Sequence, residues 1–319
     1  MNQENKHRNN DRSNEQFYDV IIIGGSAAGL AAAMTLGRAL KNVLLIDSGK
    51  PCNRFTPYSH NFLTNDGKQP AEIMETARKE VKQYPTIHFL DDLAIAASGT
   101  DHDFNITTAN NGQVKAKKLL FATGIKDLMP LISGFDQCWG VSIIHCPYCH
   151  GYEFSGQATG ILMNGAAAVD FSMFIRNWTD QLTLFTNGPS TLTEEEHANL
   201  SAAGIHINEN KISEFSHQSG QLQQVNFEDG SHQLIDAVYA RLPFEQHCEL
   251  PELMQCQMTE SGHIQVDDFK KTTVAGIYAA GDNTTQFRSV AMAVFGGNLA
   301  GAMLNHELIK ELQVPLYTS

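Results

Sequence analysis

FYDVIIIGGSAAGLAAAMTLGRALKNVLLIDSG, residues 17–49, is the stretch on which the fold turns. Val20 to Ile23 is a continuous β-branched run, as a strand buried on both faces requires, and Gly29 to Leu40 is rich in Ala and Leu, as a helix requires. The turn between them carries Gly24, Gly25 and Gly29, with Ser26 where the dinucleotide fingerprint G-x-G-x-x-G has its second glycine. The first glycine permits the tight turn, the second position lets backbone approach a pyrophosphate, and the third lets helix and strand pack closely. A serine is a small departure, since its hydroxyl fits beside a phosphate. A second apolar strand, Asn42 to Ile46, ends in Asp47, near the spacing of about 20 residues at which a carboxylate meets the ribose of an adenosine.

Working outward, the 319 residues are 42% hydrophobic, enough for two α/β domains, and carry a net charge of −13 spread along the chain. That balance excludes a phosphate-tracking nucleic-acid surface and favours solubility. No apolar run reaches the roughly 18 residues that span a bilayer, so no membrane partner is expected. MNQENKHRNNDRSNEQ, residues 1–16, lacks the apolar segment of a secretory signal and reads as a disordered tail, which makes the cytoplasm the expected compartment.

The chemistry concentrates in IIHCPYCHGYE, residues 143–153. Cys146 and Cys149 form a C-x-x-C pair followed by His150, whose ordinary pKa suits proton exchange with a thiol at neutral pH. C-x-x-C-H is also the attachment pattern for c-type haem, but that chemistry needs an exported chain. Zinc needs two more ligands at matching spacing, and Cys52, Cys138, Cys248 and Cys256 form no second pair, so no metal site is expected. A structural disulfide does not suit a reducing compartment, and the four remaining cysteines read as small apolar core residues. His145 flanks the pair, with no role assigned to it.

Near the C-terminus, GIYAAGDNTTQFRSVAMAVFGGNLAGAMLNHEL (276–308) gives a strand from Ile277 to Ala280, then Gly281-Asp282, then a small-residue helix from about Ser289. With the fingerprint and the Ala122-Thr123-Gly124 segment, this resembles the flavoprotein pyridine-nucleotide-disulfide oxidoreductases. A cysteine pair in mid-chain resembles the low-molecular-weight thioredoxin reductases. DSGKPCNRFTPYSHNFLTNDG (47–67) and CPYCHGYE are similar to a branch with dithiol oxidases of the gliotoxin type.

The resemblance implies two doubly wound Rossmann-like domains. One is a discontinuous FAD-binding domain over 17–126 and 243–319, and the other an inserted NAD(P)-type domain over 127–242 that carries the cysteines. FAD is the implied cofactor, held by Gly24, Ser26, Ala27, Gly29, Asp47, His60, Asn61, Ala122, Thr123, Gly124, Gly281, Asp282, Arg288, Ser289 and Val290. Asp282 would hydrogen-bond the ribityl chain, and the helix after Arg288 would aim its positive end at the flavin pyrimidine. Cys149 would face the flavin, Cys146 would attack substrate, and His150 would exchange the proton. A homodimer is implied, as is a partner that is either a thioredoxin-like protein or a small dithiol or disulfide.

One departure bears on the electron donor. In ATGILMNGAAAVDFSMFIRNWTDQLTLFTNG (158–188) the second fingerprint keeps only Gly165 in its turn, and no Lys or Arg lies between Asp180 and Ser190 to hold a 2′-phosphate. The β-carbons of Ala166 to Ala168 are expected to obstruct a pyrophosphate, with Arg176 the nearest basic candidate. AVYARLPFEQHCEL (237–250) departs from the family as well. NAD(P)H use is therefore in doubt, and three functions stand: a thioredoxin-reductase-like enzyme, an oxygen-dependent dithiol oxidase, and a non-enzymatic flavin redox sensor.

Overall fold

A computed structural model describes residues 17–313; the expected tail over 1–16 lies outside the described residues. The fingerprint stretch becomes β1 (Phe17–Ile23), α1 (Ala27–Arg38) and β2 (Val43–Asp47). The helix starts two residues before the expected Gly29, because the tight turn is complete at Ser26, whose backbone is still extended. Then follow α2 (Pro70–Val81), β3 (Ile87–Asp91), β4 (Ala94–Thr100), β5 (Asp103–Thr108) and β6 (Gly112–Phe121). The strands order as β3-β2-β1-β6-β5-β4, with β1, β2, β3 and the C-terminal half of β6 parallel.

β7 (Ile125–Asp127) leads out of this sheet into a second one. Along the way come α3 (Phe135–Cys138), β8 (Ile143–Ile144), α4 (Pro147–His150), β9 (Thr159–Leu162), α5 (Ala167–Ile175), β10 (Leu182–Phe185), α6 (Glu194–Ala202) and β11 (His206–Asn208). An antiparallel three-stranded sheet of β12 (Ile212–Gln218), β13 (Gln221–Phe227) and β14 (His232–Leu234) precedes β15 (Ala237–Ala240). The second sheet orders as β11-β10-β9-β15-β8 and is parallel throughout. The chain returns through β16 (Phe244–Gln246), antiparallel to β7. It then forms α7 (Leu250–Leu253), β17 (Ile277–Ala279), which joins β6 in the first sheet, and the 24-residue α8 (Val290–Gln313). The fold is α/β with two Rossmann-type units.

The continuous apolar runs have a simple cause. Alternate residues of a strand point to opposite faces, so a strand covered on both sides must be apolar at every position. Val20, Ile22, Leu45 and Leu120 pack under α1 and α8, while Ile21, Ile23, Leu44 and Phe121 pack on the other face with Phe104 and Ile264. In the second sheet Ile161, Leu184 and Tyr239 pack with Phe171 and Leu200, and Phe185 and Val238 with Phe215 and Val225 on the opposite side. Each fully buried Ile or Leu contributes about 1.5–3 kcal/mol.

α8 crosses α1 at backbone contact. A β-carbon at Gly297 would stand 2.0 Å from the Ala28 carbonyl oxygen, and one at Gly301 would stand 2.9 Å from that of Ala32. Far along α8, the fully buried ammonium of Lys118 on β6 donates to Asp101 at 2.7 Å, Glu307 at 2.8 Å and Glu311 at 2.5 Å. Lys118 thus ties the C-terminal turns of α8 to the sheet.

Candidate functional site

The turn after β1 and the loop after β2 open a long cleft. At the turn, a β-carbon on Gly24 would lie 2.2 Å from the Ala122 carbonyl oxygen and one on Gly29 1.8 Å from that of Gly24, so both positions need glycine. Gly24, Gly25, Ser26, Asp47, Arg78, Ala122 and Thr123 line one lobe of the cleft. The Asp47 carboxylate stands 3.8 Å from an Arg78 guanidinium nitrogen, and Arg78 also pairs with Asp91 and lies 4.6 Å over the Phe89 ring. The second lobe meets the first at Ser26 and is lined by Cys52, His60, Asp127, Trp139, His145, Cys149, His150, Asp282, Arg288, Ser289 and Val290.

The expected positions therefore divide. Gly24, Ser26, Asp47, Ala122, Thr123, His60, Asp282, Arg288, Ser289 and Val290 come together along one cleft. Ala27, Gly29, Asn61, Gly124 and Gly281 do not line it. Ala27 and Gly29 belong to the buried face of α1, and a β-carbon at Gly281 would press on Ala28 at 3.1 Å. Asn61 has positive φ and donates its backbone N–H to Asp66 at 2.8 Å. The Ser289 hydroxyl accepts from the Met292 N–H at 3.1 Å, so it caps α8 and fixes where that helix aims its positive end.

A polar network that the sequence did not reveal floors the second lobe. Arg288 donates to both carboxylate oxygens of Asp127 on β7, at 2.7 and 3.0 Å, and its Nε is 3.7 Å from Asp282. The Cys52 thiol donates to Asp282 at 3.4 Å. Burial, then the Asp282 charge, pushes that thiol up to about 12, so Cys52 stays protonated and holds its proton on the carboxylate. The expectation that Cys52 is an apolar core residue is corrected here; Cys138 and Cys256 are buried as expected, and Cys248 is half-buried. Asp282 is itself raised, chiefly by burial, although Arg288 opposes the shift.

The cysteines stand opposite this network. Cys146 and Cys149 form a disulfide with α-carbons 5.3 Å apart, across the single turn of α4. Pro147 at the first helical position presets the turn. Gly151 closes it where a β-carbon would meet the Pro147 oxygen at 2.5 Å and the Trp178 ring at 2.8 Å. Cys149 lines the lobe and Cys146 does not. Tyr148, between them, packs against Phe174 and Trp178 with ring centroids 5.8 Å away in both cases. His150 is lowered, first by burial. His145 stacks on Trp139 at 6.0 Å and is pushed down to about 3 by burial and by Arg288, which keeps it neutral.

The turn after β9 is different. Asn164 Oδ1 accepts from the Gly165 N–H at 2.9 Å, the Thr191 N–H at 2.9 Å and the Thr191 hydroxyl at 3.1 Å, while its Nδ2 donates to the Pro189 oxygen at 3.0 Å. One side chain thus ties the loop after β10 to the turn after β9. Two expectations need correction. Ala168 is buried in the core, leaving only Ala166 and Ala167 at the surface. Arg176 caps the far end of α5 and pairs with Asp180 at 3.7 Å, about 13 Å along the helix from the turn. The cation beside α5 is Arg241, whose guanidinium lies 4.2 Å over the Phe171 ring.

A two-lobed cleft with a glycine turn at one end and a C-x-x-C disulfide at the other agrees with a family match over residues 18–297 to the pyridine nucleotide-disulphide oxidoreductases. The chain belongs to that family. Among curated relatives, thioredoxin reductase tcpT of Claviceps purpurea is 34% identical, covering 94% of this chain and 97% of its own. Thioredoxin reductase aclD of Aspergillus oryzae is 30% identical over 89% of this chain and 94% of its own. Of solved structures, an oxidoreductase from Agrobacterium tumefaciens superposes with a TM-score of 0.86 at 35% identity, covering 92% of this chain and 99% of that one. This pyridine nucleotide-disulphide oxidoreductase is therefore thioredoxin-reductase-like, an oxidoreductase acting on sulfur groups, with FAD as its cofactor. The residues present fit FAD: the glycine turn admits a close pyrophosphate, and the buried Asp282 carboxyl lies in the lobe that the disulfide faces. Among the described residues, no helix is long and apolar enough to cross a membrane.

Proposed function

We propose that the chain is an FAD-dependent thiol–disulfide oxidoreductase that oxidises a dithiol substrate with dioxygen as terminal acceptor and makes little use of NADPH. The net reaction converts a dithiol and O2 into a disulfide and H2O2. The observation that carries this reading is Asn164. The loop after β10 and the turn after β9 would have to part for a dinucleotide to lie between them, and three hydrogen bonds of one side chain hold them together. Arg241 is the cation beside α5, but it is stacked on Phe171.

FAD, when bound across the two lobes, accepts the electron pair of the dithiol. The chain's own groups do the rest. A substrate thiolate attacks Cys146, the sulfur outside the lobe, and Cys149 leaves as a thiolate facing the lobe; the second substrate thiolate then displaces Cys146 and departs as the disulfide. His150, kept neutral by burial, takes the thiol proton. Gly24, Ser26 and Asp47 hold the adenosine and pyrophosphate end, and Asp282 and the α8 N-terminus beyond Arg288 and Ser289 hold the flavin end. Domain boundaries at 126/127 and 242/243 suit this arrangement, since β7 and β16 pair where the chain passes between the sheets.

Anaerobic mixing with NADPH, NADH and dithiothreitol tests the reading. Bleaching of the flavin band by dithiothreitol alone is expected; rapid bleaching by NADPH overturns it in favour of a thioredoxin reductase, the reading favoured by the names of the relatives. That second reading takes a thioredoxin-like partner, and a homodimer accompanies either.

A further inference from the structure

Below the redox turn lies a set of polar groups with no structural purpose of their own. Both ring nitrogens of His150 and the hydroxyl of Tyr239 are buried without a hydrogen-bond partner. Leaving such groups unpaired costs stability, which invites a functional reason. The carboxylate is Glu153, whose charge acts on His150 and on Tyr239 alike. Its Oε1 is 3.5 Å from His60 Nε2, and His60 Nδ1 is 3.6 Å from Asp66, whose carboxylate is 69% exposed. His150 and His60 line the same lobe, Glu153 follows His150 by three residues, and the contacts from Glu153 through His60 to Asp66 lead from there to water. They also bridge the two parts of the chain, because Glu153 follows the cysteines whereas His60 and Asp66 follow β2. The other titratable group facing His150 is His145, which stays neutral and walled in by Trp139.

We propose that Glu153 and His60 carry the substrate proton from His150 to solvent, with Asp66 at the exit. The inference rests on the reading above, in which His150 accepts the thiol proton. His150, once protonated, gives its proton to the Glu153 carboxylate through one bridging water and returns to neutral. Glu153 passes it to His60 Nε2, His60 releases its Nδ1 proton to Asp66 and water, and exchange of the remaining ring proton with water restores the starting tautomer, so no net charge is left behind and no electron moves. Glu153 acts through His150 and is a positioning residue.

The test compares Glu153→Gln, Glu153→Asp, His60→Asn and His150→Gln in the holoenzyme, with dithiothreitol and air. Glu153→Gln is expected to lower kcat about tenfold with little change in KM, to raise the solvent deuterium isotope effect, and to recover several-fold in imidazole, with Glu153→Asp between it and the parent. His60→Asn should behave alike but more mildly. In the reduced protein, iodoacetamide alkylation of Cys146 should move to higher pH in Glu153→Gln, because losing the anion disfavours the His150 imidazolium that stabilises the thiolate. Parental kcat and isotope effect in Glu153→Gln, with His150→Gln impaired, overturns the relay alone. A fall in kcat that imidazole does not restore, with an unmoved alkylation profile, reduces the cluster to a brace between the two parts of the chain and also overturns it. Full turnover in His150→Gln overturns the underlying reading together with the relay.

Discussion

The chain folds the same strand–turn–helix–strand pattern twice, once from β1 to β2 and once from β9 to β10, and the two turns end in opposite conditions. After β1, Gly24 and Gly29 hold backbone so close that no β-carbon fits, and the cleft above remains open from Asp47 to Ser26. After β9, Gly165 takes positive φ in a turn whose outer side is bound by Asn164 to Pro189 and Thr191. The skeleton that packs a parallel sheet is thus separable from the surface that receives a dinucleotide. Core residues such as Ile161, Ala168 and Leu184 preserve the first, and in the function proposed above the second is lost.

The comparison is most severely broken at the first turn. Gly29→Ala puts a methyl 1.8 Å from a carbonyl oxygen, and is expected to abolish FAD retention and lower stability by about 3 kcal/mol or more, read by absorbance after gel filtration and by urea unfolding. Next come the thiols that serve this cleft. Cys149→Ser should eliminate flavin bleaching by dithiothreitol, whereas Cys146→Ser should leave a thiolate facing the lobe without turnover; full activity in both removes the pair from the chemistry.

Intermediate in size is the nucleotide effect. Absent charge-assisted bonds to a 2′-phosphate, each worth about 1.5–3 kcal/mol, two missing partners amount to roughly a hundredfold in affinity or more. NADPH should therefore show no large advantage over NADH in stopped-flow reduction, and efficient reduction by micromolar NADPH contradicts the proposed loss of the second dinucleotide site. Asn164→Gly sharpens the contrast further: it should cost about 1–2 kcal/mol of stability and leave dithiothreitol turnover unchanged, with any nucleotide binding gained measured by calorimetry. The smallest effect is on pH dependence. His145 ordinarily titrates near 6.5 and is held at about 3, so the unfolded chain binds its proton first. Its contribution is whole above about pH 6.5 and is lost as pH falls toward about 3; His145→Phe should flatten acid unfolding across that window.

The sequence was legible where function depends on neighbours along the chain. The glycine turn, Asp47, the C-x-x-C-H motif and the weakened second fingerprint each lie within one supersecondary unit. What escaped was pairing across distance: Cys52 with Asp282, Arg288 with Asp127, and His60 with Glu153 join residues separated by more than 90 positions. Their types gave little signal of those partners, since Cys52 reads as an apolar filler, and Arg288 and His60 were expected at the FAD site without Asp127 or Glu153. The weakened second fingerprint was visible from its single Gly165, but the Asn164 staple beside it was not, because the Pro189–Thr191 loop that it grips has no periodicity to place it.

The pairing of β7 with β16 bears on the ancestry of the architecture. Phe244 stands opposite Asp127 and Gln246 opposite Ile125, so the chain leaves and re-enters its first unit through adjacent strands, about 5 Å apart. A segment with entry and exit so close can be gained or lost as a cassette, since a short hairpin turn closes the gap and the host sheet needs no rethreading. Excision from Leu128 to Pro243, with a two-residue turn in its place, would leave the β6–β17 ladder intact and yield a flavin-binding host stripped of its redox cysteine pair.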